Sequence, residues 1–264
     1  MKINNDYKNR QFSFKALPFR VERGVKLFED FHTTPSKFCP KDYFVQVYND
    51  SFVPRGISIR IDDVDYRMIG ASDLTIEPKK ILYNSNMDVF CRSNRAQGAG
   101  TAMHLAGIMT MLENGLEKLK LFSLGQAVHF HSRFKFEPKI RELSELEDLV
   151  ETNIVSHKGI GMVDDIAQRA EEWLFNDTGA TVRKRKIEGN KLIDEYLQTV
   201  LRNKYYEYDE FNMTSGFNME LTKKKILENA DFFNKLFERF GIDYKIPVEL
   251  LFISFVDKKF SHIF

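Results

Sequence analysis

The chain has 264 residues, enough for one large domain or for a core of about 150 residues with an addition, and either buries a core without disulfides. Its formal net charge is +1, which argues for neither nucleic acid nor an anionic membrane, and no window carries the uninterrupted apolar run of a membrane span. Only Cys39 and Cys91 are present, far apart and outside any CxxC, so neither a disulfide framework nor a metal site is suggested. Residues 1–6 lack the apolar run of a signal peptide, and the expected location is the cytoplasm.

In chain order, residues 11–17 alternate as a strand and residues 21–31 suit a short helix. Residues 43–48 read as a strand with Tyr43, Val45 and Val47 on one face. Residues 56–61 set Ile57, Ile59 and Ile61 against Ser58 and Arg60, the pattern of a half-buried strand. Asp62-Asp63 supplies turn chemistry, and strands are expected over 66–76 and 81–91. Residues 101–114 form a helix with Ala102, Leu105, Ile108, Met109 and Leu112 as its apolar stripe and Gly115 as its C-terminal cap. The run LKLFSL over 119–124 predicts a strand buried on both faces. Strand, glycine loop, helix and strand over 81–124 make a crossover between parallel neighbours.

Beyond Pro138 the spacing predicts helices over 144–155, 162–175, 189–206 and 219–240, with a last strand returning over 246–257. The division is therefore 1–140 and a mostly helical 141–264. The basic run 183–186 reads as a solvated loop. Phe232, Phe233, Leu236, Phe237 and Phe240 form a stripe suited to a core or to the contact of a homodimer.

The chemistry-bearing stretch is Arg95-Ala96-Gln97-Gly98-Ala99-Gly100-Thr101, between a strand and a helix. Free backbone N–H groups and the helix dipole there suit an anion, and two glycines permit close approach by a pyrophosphate. The third glycine of a dinucleotide fingerprint is replaced by Met103, and no Walker A ending exists.

Arg95 to Gly100 resembles the [RQ]-x-x-G-x-[GA] motif of the GNAT superfamily of acyl-CoA-dependent N-acyltransferases. Downstream, residues 127–136 (AVHFHSRFKF) are similar to that family's A-x-x-[FL]-Y-x-x-x-G-F signature, with His131 in place of the Tyr and Lys135 in place of the Gly. The resemblance covers roughly 55–138. It implies an α/β fold with a mixed, largely antiparallel sheet flanked by helices, and acetyl-CoA as co-substrate. Its pyrophosphate would lie on Gln97, Gly98, Ala99, Gly100 and Thr101, beside Arg95. Its pantetheine arm would pair with the backbone of Asp88, Val89 and Phe90, where two parallel strands splay apart. The implied reaction is acetyl transfer to a primary amine, on a protein lysine, an N-terminus or a small molecule. His131 is the expected proton donor and Glu77 the candidate base, with His104 and His129 read as surface residues. The alternative is a GNAT-fold module that binds acyl-CoA or a protein partner without turnover.

Overall fold

A computed structural model describes residues 18–36, 41–90, 96–175 and 180–247. Arg95, both cysteines, the 11–17 strand and nearly all of the 246–257 strand lie outside these described residues.

The first departure from the sequence pattern comes at once. Residues 21–31 are not a helix: β1 (Phe19–Glu22) and β2 (Val25–Phe28) form a hairpin. Arg23 and Gly24 both adopt positive φ, 51° and 77°, which is the two-residue turn whose twist matches paired strands. Then β3 (Phe31–His32), β4 (Phe44–Asn49), β5 (Gly56–Asp62), β6 (Met68–Glu77) and β7 (Ile81–Val89) follow as successive antiparallel neighbours. Their inner face is apolar, with Tyr43, Val45, Val47, Ile57, Ile59 and Ile61 all fully buried, but β5 is not half-buried as its pattern suggests, because Ser58 and Asp62 on its other face are buried as well.

Helix α1 (Ala99–Glu113) crosses over the inner face and leads to β8 (Lys118–Ser123). Residues 99–112 contain no Asp, Glu, Lys or Arg, so the helix is buried far beyond the expected stripe. Its end is closed by Gly115 at φ 62° and by Asn114, whose side chain bonds both backbone groups of Lys26 at 2.9 Å. Strand β8 is not buried on both faces: Leu119 and Leu121 point inward, while Phe122 is 51% exposed.

Helix α2 (Val128–Arg133) and the short β9 (Glu137–Pro138) come next. Between β9 and its partner strand the chain inserts α3 (Leu143–Asn153), α4 (Asp164–Phe175) and α5 (Val182–Arg202). The basic run 183–186 opens α5; Arg185 pairs with Glu147 at 2.9 Å and lies over Trp173. Asn190 of α5 ties this insertion to the sheet edge by bonding both backbone groups of Ile140, at 2.8 and 3.0 Å.

The chain returns to the sheet through β10 (Phe217–Thr222), followed by α6 (Lys223–Glu228) and α7 (Ala230–Arg239). The single helix expected over 219–240 is thus a strand and two helices. Phe217, Met219 and Leu221 alternate with Asn218, Glu220 and Thr222, and Thr222 caps α6 by accepting from the N–H of Lys225 at 3.1 Å. The sheet order is β3-β4-β5-β6-β7-β8-β10-β9, mixed through its one parallel pair, β7–β8. None of the described helices is long and apolar enough to cross a membrane.

Candidate functional site

Strands β7 and β8 are in register for only four residues, Ile81–Asn84 against Lys118–Leu121. Beyond Leu121, β8 continues against β10, pairing Phe122 with Asn218 and Ser123 with Phe217, while β7 stays with β6. The two strands therefore diverge, and among the described residues no strand pairs with this edge of the far half of β7. Phe90 donates its N–H to Ile69 on β6 at 2.9 Å. Because backbone groups alternate sides along a strand, those of Val89 and Met87 face the gap. This corrects one expectation: Asp88 and Phe90 turn their backbone toward β6, and Met87, which the sequence pattern did not single out, joins Val89 on this edge.

The glycine loop closes one end of this gap. Gly98 is the N-cap of α1 at φ 94°, where an L side chain is strained. Gly100 is glycine for a different reason: a Cβ there would stand 2.9 Å from the ring of Phe130. The first intrahelical bond runs from the N–H of Ala102 to the carbonyl of Gly98, so the N–H groups of Ala99, Gly100 and Thr101 have no intrahelical acceptor. The carbonyl of Gln97 accepts the Tyr43 hydroxyl at 2.7 Å, fastening the loop to the buried residue just before β4.

A cavity of about 300 Å³ connects these parts, bounded by Met87 and Val89, by Gly98, Gly100 and Thr101, and by Phe130 and His131 of α2. The structure thus brings Val89, His131 and the 97–101 loop together. It does not bring Glu77 there. That residue pairs with Ile81 at the far end of β7, roughly 20 Å along the strand from Met87. No carboxylate lines the cavity, and His131 is its one titratable side chain among the described residues.

His131 is not alone. Its Nδ1 lies 2.8 Å from Nε2 of His104 on α1, and both rings are buried. Phe130 stacks on His104, and Phe134 and Phe136 also contact that ring. Burial holds His131 at a pKa of about 4; burial and then the neighbouring His131 hold His104 well below the usual imidazole range. Both are neutral at pH 7, so one nitrogen of the pair donates and the other accepts. A neutral His131 can hydrogen-bond a reacting group, but it is not a resting imidazolium acid.

His104 and His129 are corrections to the surface reading. His104 falls off the expected stripe but on a helix with no charged face to turn outward. His129, also buried, donates from Nε2 to the carbonyl of Phe211 at 2.6 Å, linking α2 to the segment that follows the inserted helices. Only an HxH pair opposite a lone helical His hinted at this in the sequence.

No family model and no curated protein matches the chain. Among solved structures, a nourseothricin acetyltransferase is similar at 16% identity and a TM-score of 0.30, over 47% of this chain and 85% of that one. A GNAT-family acetyltransferase from Staphylococcus aureus is similar at 19% identity and a TM-score of 0.31, over 33% of this chain and 56% of that one. One from Elizabethkingia anophelis, with acetyl-CoA bound, stands at 15% and 0.30, over 33% and 57%. The chain spans little more than half the length of the last two. At these TM-scores the likeness adds nothing to what the strand order itself shows. Five successive antiparallel strands, a glycine loop opening a long helix, and a parallel strand that diverges after four residues make this a mixed, largely antiparallel α/β fold.

Proposed function

We propose that this chain is an acetyl-CoA-dependent N-acetyltransferase acting on a primary amine. The observation that carries the reading is an edge of β7 with no described partner, running toward three N–H groups without an intrahelical acceptor at the start of α1. A donor of this kind has a pyrophosphate joined to an arm with two amides. The N–H groups of Ala99, Gly100 and Thr101 suit the pyrophosphate, aided by the helix dipole. The edge groups of Met87 and Val89 suit the amides, as an added strand would.

The thioester supplies the activated acetyl group. The amine nitrogen forms a bond to its carbonyl carbon, the carbon–sulfur bond breaks, the amine loses a proton and the thiol leaves. An edge N–H of β7 near the point of divergence stabilises the oxyanion. His131 stands in the motif position of the family's Tyr and works as a neutral hydrogen-bond donor to the departing sulfur. His104 positions it: with the His104 Nε2 proton given to His131 Nδ1, His131 carries its own proton on Nε2. The acceptor is an amine on a protein or a small molecule.

The test is release of free thiol from acetyl-CoA in the presence of polyamines, amino-acid amides and lysine peptides. The reading predicts amine-dependent release that falls about a hundredfold in His131→Phe and is largely kept in His131→Tyr, which restores a donor. Acetyl-CoA binding without release for any amine would favour a binding module instead.

A further inference from the structure

A small cavity of about 200 Å³ lies where the segment after α2, the edge strand β9 and helices α5 and α6 meet. It is several times the roughly 30 Å³ that one water takes in the liquid, so it has room for a small solute. We propose that it binds a zwitterion of the α-amino-acid class, whose ammonium pairs with Asp194 and whose carboxylate pairs with Lys135. The inference does not rest on the acyl-CoA reading, and it concerns side chains that the motif resemblance does not supply.

Five charged side chains line the cavity: Lys135, Glu137, Asp194, Lys225 and Glu228. Three of them are already matched. Lys225 pairs with Glu137, and Glu228 pairs with Lys224 at 3.6 Å. Asp194 and Lys135 remain, and neither forms an ion pair among the described residues. Asp194 lies on the inserted helix α5, partly buried, with Gln198 one turn on as a hydrogen-bond partner. Its Oδ1 is enclosed by protein without a partner, so what compensates this charge must come from the cavity that the residue lines. Burial, and then the nearby Glu137, raise the Asp194 carboxyl pKa, as befits a carboxylate short of a cation. Lys135 holds φ 65° at the place where the family signature has Gly. Its ammonium lies 5.2 Å from the centre of the Phe232 ring, a contact that leaves its hydrogen-bond donors unused.

One unmatched charge of each sign selects the ligand. A phosphate would meet Asp194 and Glu137, and a polyamine would meet Lys135 and Lys225. A molecule with an ammonium at one end and a carboxylate at the other compensates both free groups at once. The amides of Gln198 and Asn229 complete the wall and suit a polar side chain. A metal ion is a poor occupant, because no group of three or more metal-ligating side chains occurs among the described residues. The cavity shares no lining residue with the cleft along β7, so its occupant is not the amine that accepts the acetyl group. Lys135 and Gln198 also line a larger cavity of about 630 Å³ that reaches Thr101 and Phe130, which places the site beside the cleft and not in it.

The test uses the full chain with no acyl donor present. Each proteinogenic α-amino acid is screened at millimolar concentration by thermal shift. The best binder is then titrated by calorimetry beside its decarboxylated amine and its N-acetyl derivative, on the native protein, Asp194→Asn and Lys135→Met. The expected result is that both derivatives bind the native chain at least about tenfold more weakly than the amino acid. Asp194→Asn, which keeps the side-chain shape, should weaken the amino acid by a similar factor, and Lys135→Met should abolish its advantage over the amine. A chain stabilised by no amino acid overturns the proposal, and so does a derivative that binds the native protein as tightly as the amino acid. A folded Asp194→Asn with native affinity, or a folded Lys135→Met that keeps the preference, overturns it as well. The ligand comparison on the native chain decides the matter even if a variant fails to fold.

Discussion

Thr101→Glu separates folding from binding, because the two respond with opposite sign. Thr101 is the third residue of α1, partly buried, and its N–H is one of the three without an intrahelical acceptor. The first turn of this helix contains no acidic residue. A carboxylate there faces the positive end of the helix dipole and should stabilise the fold by about 0.3–1 kcal/mol. The same carboxylate occupies the anion site. A unit charge held about 5 Å from a phosphate, at an effective dielectric of about 20, is opposed by about 3 kcal/mol, or roughly 150-fold in Kd. Thr101→Gln serves as the neutral control, with similar size and no charge. Urea denaturation gives the stability change, and acetyl-CoA titration at low salt gives the binding change. A variant as stable as the native protein that binds acetyl-CoA equally well would refute the placement of the pyrophosphate on this helix end.

Three further outcomes follow from the packing. Burial lowers the pKa of His104, His129 and His131, so the unfolded chain binds protons that the folded chain does not. Their stabilising contribution is complete above the unfolded value near pH 6.5 and is lost as pH falls below it; His131 alone loses about 3 kcal/mol by pH 4, which urea midpoints at pH 7.5, 6 and 5 would track. His104→Phe keeps an aromatic ring but strands Nδ1 of His131, and should cost about 1–3 kcal/mol by denaturation, together with a lowered rate of thiol release. Gly189→Ala should destabilise by about 1–3 kcal/mol despite a better helix propensity, because the new methyl would stand 2.6 Å from both Leu146 and Trp173; a stabilised variant would show that α3, α4 and α5 pack less closely than described.

The antiparallel strands were legible because period-2 alternation and one buried face go together, as Ile57, Ile59 and Ile61 illustrate. The glycine loop was legible from its motif, in which Gly98 answers a local need, a positive φ, while the reason for Gly100, the approach of Phe130, appears only in the packed structure. Features set by tertiary context were not. β10 alternates, with Phe217, Met219 and Leu221 buried, but it runs directly into the charged helical segment over 223–239, so the helical period absorbed it. The hairpin at Arg23-Gly24 was hidden because Arg rarely signals a positive-φ turn. Which backbone groups of β7 face the cleft depends on the bulge between Asp73 and Leu74 and on where β8 departs, and neither is written in local spacing. The His104–His131 contact joins residues 27 positions apart and is fixed only when α1 and α2 pack.

The most direct test of the acyl-donor site is calorimetric titration of the full native chain with acetyl-CoA. The β7 edge without a described partner and the N–H groups of α1 without an intrahelical acceptor predict saturable one-to-one binding in the micromolar range, weakened as salt rises. No detectable binding at millimolar acetyl-CoA would contradict the assignment of this cleft to an acyl donor.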